Sequence, residues 1–162
     1  MGYPLEDPFV TCKWDVKGKA WKSGRHGGID FRAPKQTPIK AIEDGKVIYA
    51  GRGAGWGAAY GVHVILQHGK HRVIYAHLTS VNVAGLKDKL VKEGDEIGLS
   101  GATGNCFGAH LHLEARKAPY RYNVDAVNPM PIITGEPEVE DAPKPVKKAT
   151  TSPQGSKDDE TI

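Results

Sequence analysis

Gly108-Ala109-His110-Leu111-His112-Leu113-Glu114 alternates polar and apolar residues. A period of two predicts a strand, with His110, His112 and Glu114 on one face and Leu111 and Leu113 on the other. Two imidazoles side by side are a poor choice for an apolar core, because each brings ring nitrogens that need partners. They suit a metal site or a paired acid/base site, because the backbone already sets their spacing. Two surface histidines on a solvated strand face are the alternative. Glu114 is either a partner for an imidazole N–H or a solvent-exposed acid at the strand end.

Upstream of this strand, short apolar runs alternate with turn residues, so the same period governs much of the chain. Ile29-Asp30-Phe31-Arg32 reads as a strand between the loop Ser23-Gly24-Arg25-His26-Gly27-Gly28 and Ala33-Pro34. Residues 38–50 read as a hairpin around Glu43-Asp44-Gly45-Lys46. Val62 to Gln67 and Arg72 to Leu78 read as paired strands across Gly69-Lys70, and Glu96 to Leu99 as another strand after the turn Lys92 to Asp95. Residues 51–57 place a glycine at every second position, but no helical pattern follows, so a dinucleotide loop is a poor reading and a hairpin loop beside a groove a better one. Strands at this spacing, with no convincing helical period, imply an all-β sandwich or barrel-like sheet.

The chain has 162 residues, room for one domain over residues 1–134. From Gly135 onward it is charged, Pro-rich and poor in large apolar side chains, so residues 135–162 read as a disordered tail. The tail holds seven acids and four bases, which leaves +6 on residues 1–134. A basic body favours a polyanion, but the bases are scattered and no nucleic-acid motif is present, so nucleic acid is not the expected partner. No apolar run approaches the roughly 18–20 residues of a membrane span. Met1 to Val10 lacks the apolar core of a signal peptide, so the chain is expected to act in the cytoplasm or to leave by another route. Cys12 and Cys106 are too few for a disulfide framework, and both read as free, partly buried residues.

Five residues can carry chemistry together: His26, Asp30, His77, His110 and His112. Two histidines and one aspartate around an ion with an open fourth position describe a catalytic zinc site rather than a closed structural one. The two histidines left over suit proton transfer and oxyanion stabilisation. With no Cys-x-x-Cys, a thiolate zinc finger is excluded. His63 shares its strand face with Ile65 and Gln67, away from the apolar face, and is expected to point to the groove or solvent. His68 and His71 flank a turn and are expected to be solvated. Trp14 and Trp21 either cap the core or line a groove. Trp56 and Tyr60 either rim a substrate groove or pack.

The run His26-Gly27-Gly28-Ile29-Asp30-Phe31-Arg32-Ala33-Pro34, then Tyr75-Ala76-His77-Leu78, then Gly101-Ala102-Thr103-Gly104 leading to His110-Leu111-His112-Leu113-Glu114, resembles the lysostaphin-type zinc endopeptidases of peptidoglycan over about residues 20–130. The resemblance implies a compact antiparallel sheet with a groove open at one side, and hydrolysis of peptide bonds in the stems or cross-bridges of bacterial peptidoglycan. It makes His26, Asp30 and His112 the ligands of one zinc ion per chain, with His77 and His110 flanking the water the ion activates. The implied setting is a phage lysin, released through a holin-type route or carried on the virion. A catalytically inactive member serving as a wall-binding, activating or tail-structural module is the alternative.

Overall fold

The computed structural model describes residues 2–83 and 86–136; the expected tail lies outside the described residues from position 137 onward. The strands are β1 (Val10–Cys12), β2 (Ile29–Arg32), β3 (Pro38–Lys40), β4 (Gly45–Arg52), β5 (Val62–His68), β6 (His71–Val81), β7 (Leu90–Val91), β8 (Glu96–Ser100), β9 (His110–Lys117) and β10 (Ala126–Val127), followed by the short helix α1 (Met130–Thr134). One turn of 3₁₀ helix lies at Ala58–Tyr60. The strands form a single antiparallel sheet in the order β1-β2-β9-β6-β5-β4-β7, with β10 also on β9, β8 on β6 and β3 on β8. The all-β antiparallel class expected from the strand pattern is the class observed. No helix among the described residues is long and apolar enough to cross a membrane.

The sheet has two unlike faces, and the period of two explains both. On one face Ile29, Phe31, Val64, Leu66, Val73, Tyr75, Leu111 and Leu113 join the main core. On the other, Ile65, Ile74 and Ala76 form a small second cluster, covered by Ile48, Tyr49, Trp56 and Tyr60. β9 lies between β2 and β6, so Asp30 sits opposite His112 and Ala76 opposite His112 on the other side. The polar side chains of β9 are thereby held at the middle of the sheet, where strand pairing on both sides fixes the backbone.

One strand breaks the alternation. Tyr75 and Leu78 both belong to the main core, which strict alternation forbids for residues three apart. The pairing shows why: Val64 faces Tyr75 while Val62 faces Leu78, so β6 carries one more residue than β5 across this step. The extra residue is a β-bulge, and within it His77 adopts a left-handed backbone with φ 64°. The bulge turns His77 away from the core, onto the face that carries His110 and His112.

Three sequence expectations are corrected. The hairpin over residues 38–50 does not form: β3 pairs with β8, and β4 with β5 and β7. The turn residues are used otherwise, since Asp44 Oδ1 accepts the Glu93 N–H at 2.8 Å and Ala41 exchanges backbone hydrogen bonds with the turn at Gly94-Asp95. His68 and His71 are buried rather than solvated. His68 accepts the Tyr75 hydroxyl at Nε2 (2.8 Å) and meets the Asp44 carbonyl at Nδ1 (3.1 Å), so both ring nitrogens are satisfied inside the protein. His63 keeps to the face expected of it but is buried against Tyr49 and Tyr60, with Gly61 O at Nδ1 and the Trp56 N–H at Nε2.

Candidate active site

The loop before β2, the strand β2 and the centre of β9 bring three donor atoms together. His26 Nε2 lies 3.1 Å from Asp30 Oδ1 and 3.3 Å from His112 Nδ1, and His112 Nδ1 lies 2.8 Å from Asp30 Oδ1. His26 Nδ1 donates to the Lys13 carbonyl at 2.9 Å, so its Nε2 carries a lone pair. An imidazole lone pair and a carboxylate oxygen thus face each other, with only the His112 Nδ1 proton between them. That arrangement calls for a cation. A tetrahedral zinc ion with ligands at 2.0–2.2 Å separates its donors by roughly 3.3 Å, and the three observed spacings fit it after small adjustment. The ion would take the place of the His112 proton, so loading releases a proton.

Burial would raise the Asp30 pKa, but the His112 hydrogen bond and the neighbouring His26 imidazole outweigh it and hold the carboxyl well below the usual range. Burial works against charge on His112 as well, yet Asp30 and Glu114 push it up to about 9. Glu114, 4 % exposed, receives the His112 Nε2–H at Oε1 (3.0 Å). Its other oxygen is clamped by Arg116 through Nε (3.1 Å) and Nη2 (2.9 Å), and the Tyr60 hydroxyl reaches both oxygens at 3.1 Å. The Arg116 guanidinium lies 3.6 Å over the Trp56 ring. The structure therefore gives Glu114 the partner role weighed from its place on the strand face. Arg116 was passed over in the sequence, although its period-two spacing from His112 and Glu114 was the available signal.

Trp56 and Tyr60, read from sequence as groove-rimming or packing residues, are half-buried and held by internal partners. Tyr60 also stacks on His112, with ring centres 6.2 Å apart and planes at 28°. The two early tryptophans divide their expected roles: Trp14 packs on the main core, while Trp21 lies tilted against His26 with ring centres 5.1 Å apart.

His77 and His110 stand beside the triad with ring centres 5.0 Å apart. His77 Nδ1 donates to Thr103 O (2.7 Å) and His110 Nδ1 to Gly108 O (2.8 Å). Each ring therefore keeps a free lone pair at Nε2, and that of His110 lies 3.7 Å from Asp30 Oδ1. Burial is the main reason the His77 pKa falls, to about 4. The structure brings together all five chemistry-bearing residues read from the sequence. It adds two thiols: Cys12 within 4.8 Å of the His26 and Asp30 donors, and Cys106 within 4.8 Å of those of His77 and His110. Both cysteines are free, as expected. Phe107, next to Cys106, is fully exposed on the loop beside the site.

Comparison with known proteins places the chain in a family. The description of peptidase family M23 matches residues 24–129. The DD-carboxypeptidase/endopeptidase Mpg of Neisseria meningitidis is 38 % identical over 120 residues, covering 74 % of this chain and 25 % of the relative. The chain thus spans about a quarter of that protein's length. Among solved structures, the catalytic domain of lysostaphin from Staphylococcus simulans superimposes with a TM-score of 0.69 at 32 % identity, covering 78 % of this chain and 92 % of that domain. A zinc-containing peptidase from Vibrio cholerae superimposes with a TM-score of 0.59 at 32 % identity, covering 70 % of this chain and 35 % of the other.

Proposed function

The chain belongs to peptidase family M23, and on that premise we propose that it is a zinc-dependent endopeptidase of bacterial peptidoglycan. The observation that carries the proposal is the triangle of His26, Asp30 and His112 donors, with 2.8–3.3 Å edges, flanked by two imidazoles whose Nε2 atoms are free. His26, Asp30 and His112 would hold the ion. Zinc supplies a Lewis acid that polarises the scissile carbonyl and acidifies a water molecule.

The chain's own residues do the rest. His77, 6 % exposed and fixed by Thr103 O, accepts the water's proton at Nε2 and then delivers it to the leaving amine. His110, 24 % exposed on its side chain, donates from Nε2, when that nitrogen carries a proton, to the carbonyl oxygen as negative charge develops there. Glu114, clamped by Arg116 and Tyr60, fixes the His112 ring with Nδ1 toward the ion. Tyr60 backs the His112 ring and Trp56 backs Arg116, and the exposed Phe107 is available to a peptide lying across the site. A basic body of +6 over residues 1–134 accords with an anionic wall polymer.

The test is release of new amino groups from purified peptidoglycan by the zinc-loaded protein, with a chelator arm and zinc add-back. Chelator-sensitive, zinc-restored release is expected, and mass analysis of the fragments then names the bond. Bound zinc without release on any wall chemistry would instead identify a catalytically inactive member.

A further inference from the structure

The loop between β8 and β9 brings a thiol that the hydrolytic reaction does not use, Cys106, beside the two imidazoles that it does use, His77 and His110. Cys106 Sγ lies 3.3 Å from His110 Nδ1, and Cys106, His77 and His110 each place a donor atom within 4.8 Å of the others. His110 stands between two regions: its Nε2 faces Asp30 at 3.7 Å, and its Nδ1 faces Cys106. Cys106 is partly exposed, flanked by exposed Asn105 and Phe107, so the cluster is open to solution. A side chain at Gly108 would meet nothing within 4 Å, which leaves the loop room to adjust.

One thiolate and two imidazoles form a donor set suited to zinc and to softer divalent ions such as cadmium. With metal–sulfur near 2.3 Å and metal–nitrogen near 2.0 Å, a tetrahedral ion separates its sulfur and nitrogen donors by roughly 3.5 Å. Cys106 and His110 are already at about that spacing, and only His77 must close in. We propose that His77, Cys106 and His110 form a second, inhibitory site for a soft divalent cation. Occupancy breaks the Cys106 S–H and His110 N–H bonds to Gly108 O, releases the thiol proton to solvent and shifts the His110 proton from Nδ1 to Nε2. It ties up the two imidazoles that move protons, while the first ion stays on His26, Asp30 and His112. The inhibitory part rests on the proposed endopeptidase activity, but the site itself does not.

The experiment uses the full chain carrying one equivalent of zinc, titrated with cadmium and followed by thiolate-to-cadmium charge-transfer absorption. The band is expected in the wild type, lost in Cys106→Ser and kept in Cys12→Ser. A band that follows Cys12, or no band in the wild type, overturns the site. In parallel, wall hydrolysis is measured against rising free zinc. Cys106→Ser should match the wild type at one equivalent and require on the order of tenfold more zinc for half inhibition, the scale on which even outer-shell changes alter metal affinity. Equal inhibition of the two proteins overturns the regulatory role. If neither protein hydrolyses wall, the cadmium band still decides the site.

Discussion

Replacing Glu114 with alanine separates the two tasks assigned to it. The carboxylate is buried and receives hydrogen bonds from His112 Nε2, the Tyr60 hydroxyl and two nitrogens of Arg116, all between 2.9 and 3.1 Å. Alanine leaves a buried guanidinium without its counter-charge, and breaking such a pair costs about 3–5 kcal/mol. Arg116 retains the Tyr120 carbonyl at 3.0 Å and the Trp56 face, so the lower end, about 3 kcal/mol, applies. For a domain of this size that is a fall in Tm of roughly 12 °C. The His112 ring also loses the partner that holds its tautomer, which costs about 10–100-fold in metal affinity. Thermal unfolding at saturating zinc and competition with a chromophoric chelator read the two effects. The double variant Glu114→Ala/Arg116→Met should recover stability but not zinc affinity. A single Glu114→Ala variant with zinc affinity within threefold of wild type and an unchanged Tm would refute the reasoning.

His77→Ala should retain zinc while hydrolysis falls by roughly 10²–10⁴, the usual worth of a general base; loss of the metal would make His77 a ligand instead. Gly28→Ala puts a methyl group onto the Leu113 carbonyl and 2.9 Å from Cε1 of His112, so β2 and β9 must part. A loss of about 1–3 kcal/mol in urea unfolding is expected, with weaker zinc binding, and a variant as stable as wild type would contradict the packing. Burial lowers the pKa of His68. Below the ordinary value of about 6.5 the unfolded chain therefore takes a proton that the folded chain refuses, and the contribution present at higher pH is lost as pH falls. At saturating zinc, wild-type stability should fall more steeply than that of His68→Gln between pH 7 and 5; parallel curves would show that His68 does not contribute.

Much of the site was legible because period two is a strong constraint. Once His110-Leu111-His112-Leu113-Glu114 is a strand with a leucine face, the two histidines and the glutamate must share the other face, and the structure pairs that face with Asp30. His77 was harder. Alternation alone sends it toward the core with Tyr75, and only the bulge at φ 64° turns it into the site. A bulge follows from how two strands are matched, which neither strand records by itself. The hairpin over residues 38–50 failed for a related reason: its flanks are apolar enough to pair, but β8 and β5 compete for them and win. His68 and His71 sit beside a turn, and turns are usually wet. Here the Tyr75 hydroxyl and the Asp44 carbonyl reach the His68 ring from elsewhere in the chain, which no local pattern announces. The thiol of Cys106 escaped for the opposite reason, because a cysteine four residues before a histidine is unremarkable until the loop folds back.

The central claim is that His26, Asp30 and His112 hold one zinc ion that the peptidase reaction requires. The most direct measurement is the zinc content, after exhaustive dialysis, of the wild type and of His26→Ala, Asp30→Ala and His112→Ala, each paired with amino-group release from purified peptidoglycan. The account predicts about one zinc per wild-type chain, as a three-ligand site implies, and loss of both metal and hydrolysis in all three folded variants. A folded variant that keeps full hydrolysis, or a wild type that hydrolyses wall equally well after its zinc is removed, would contradict it.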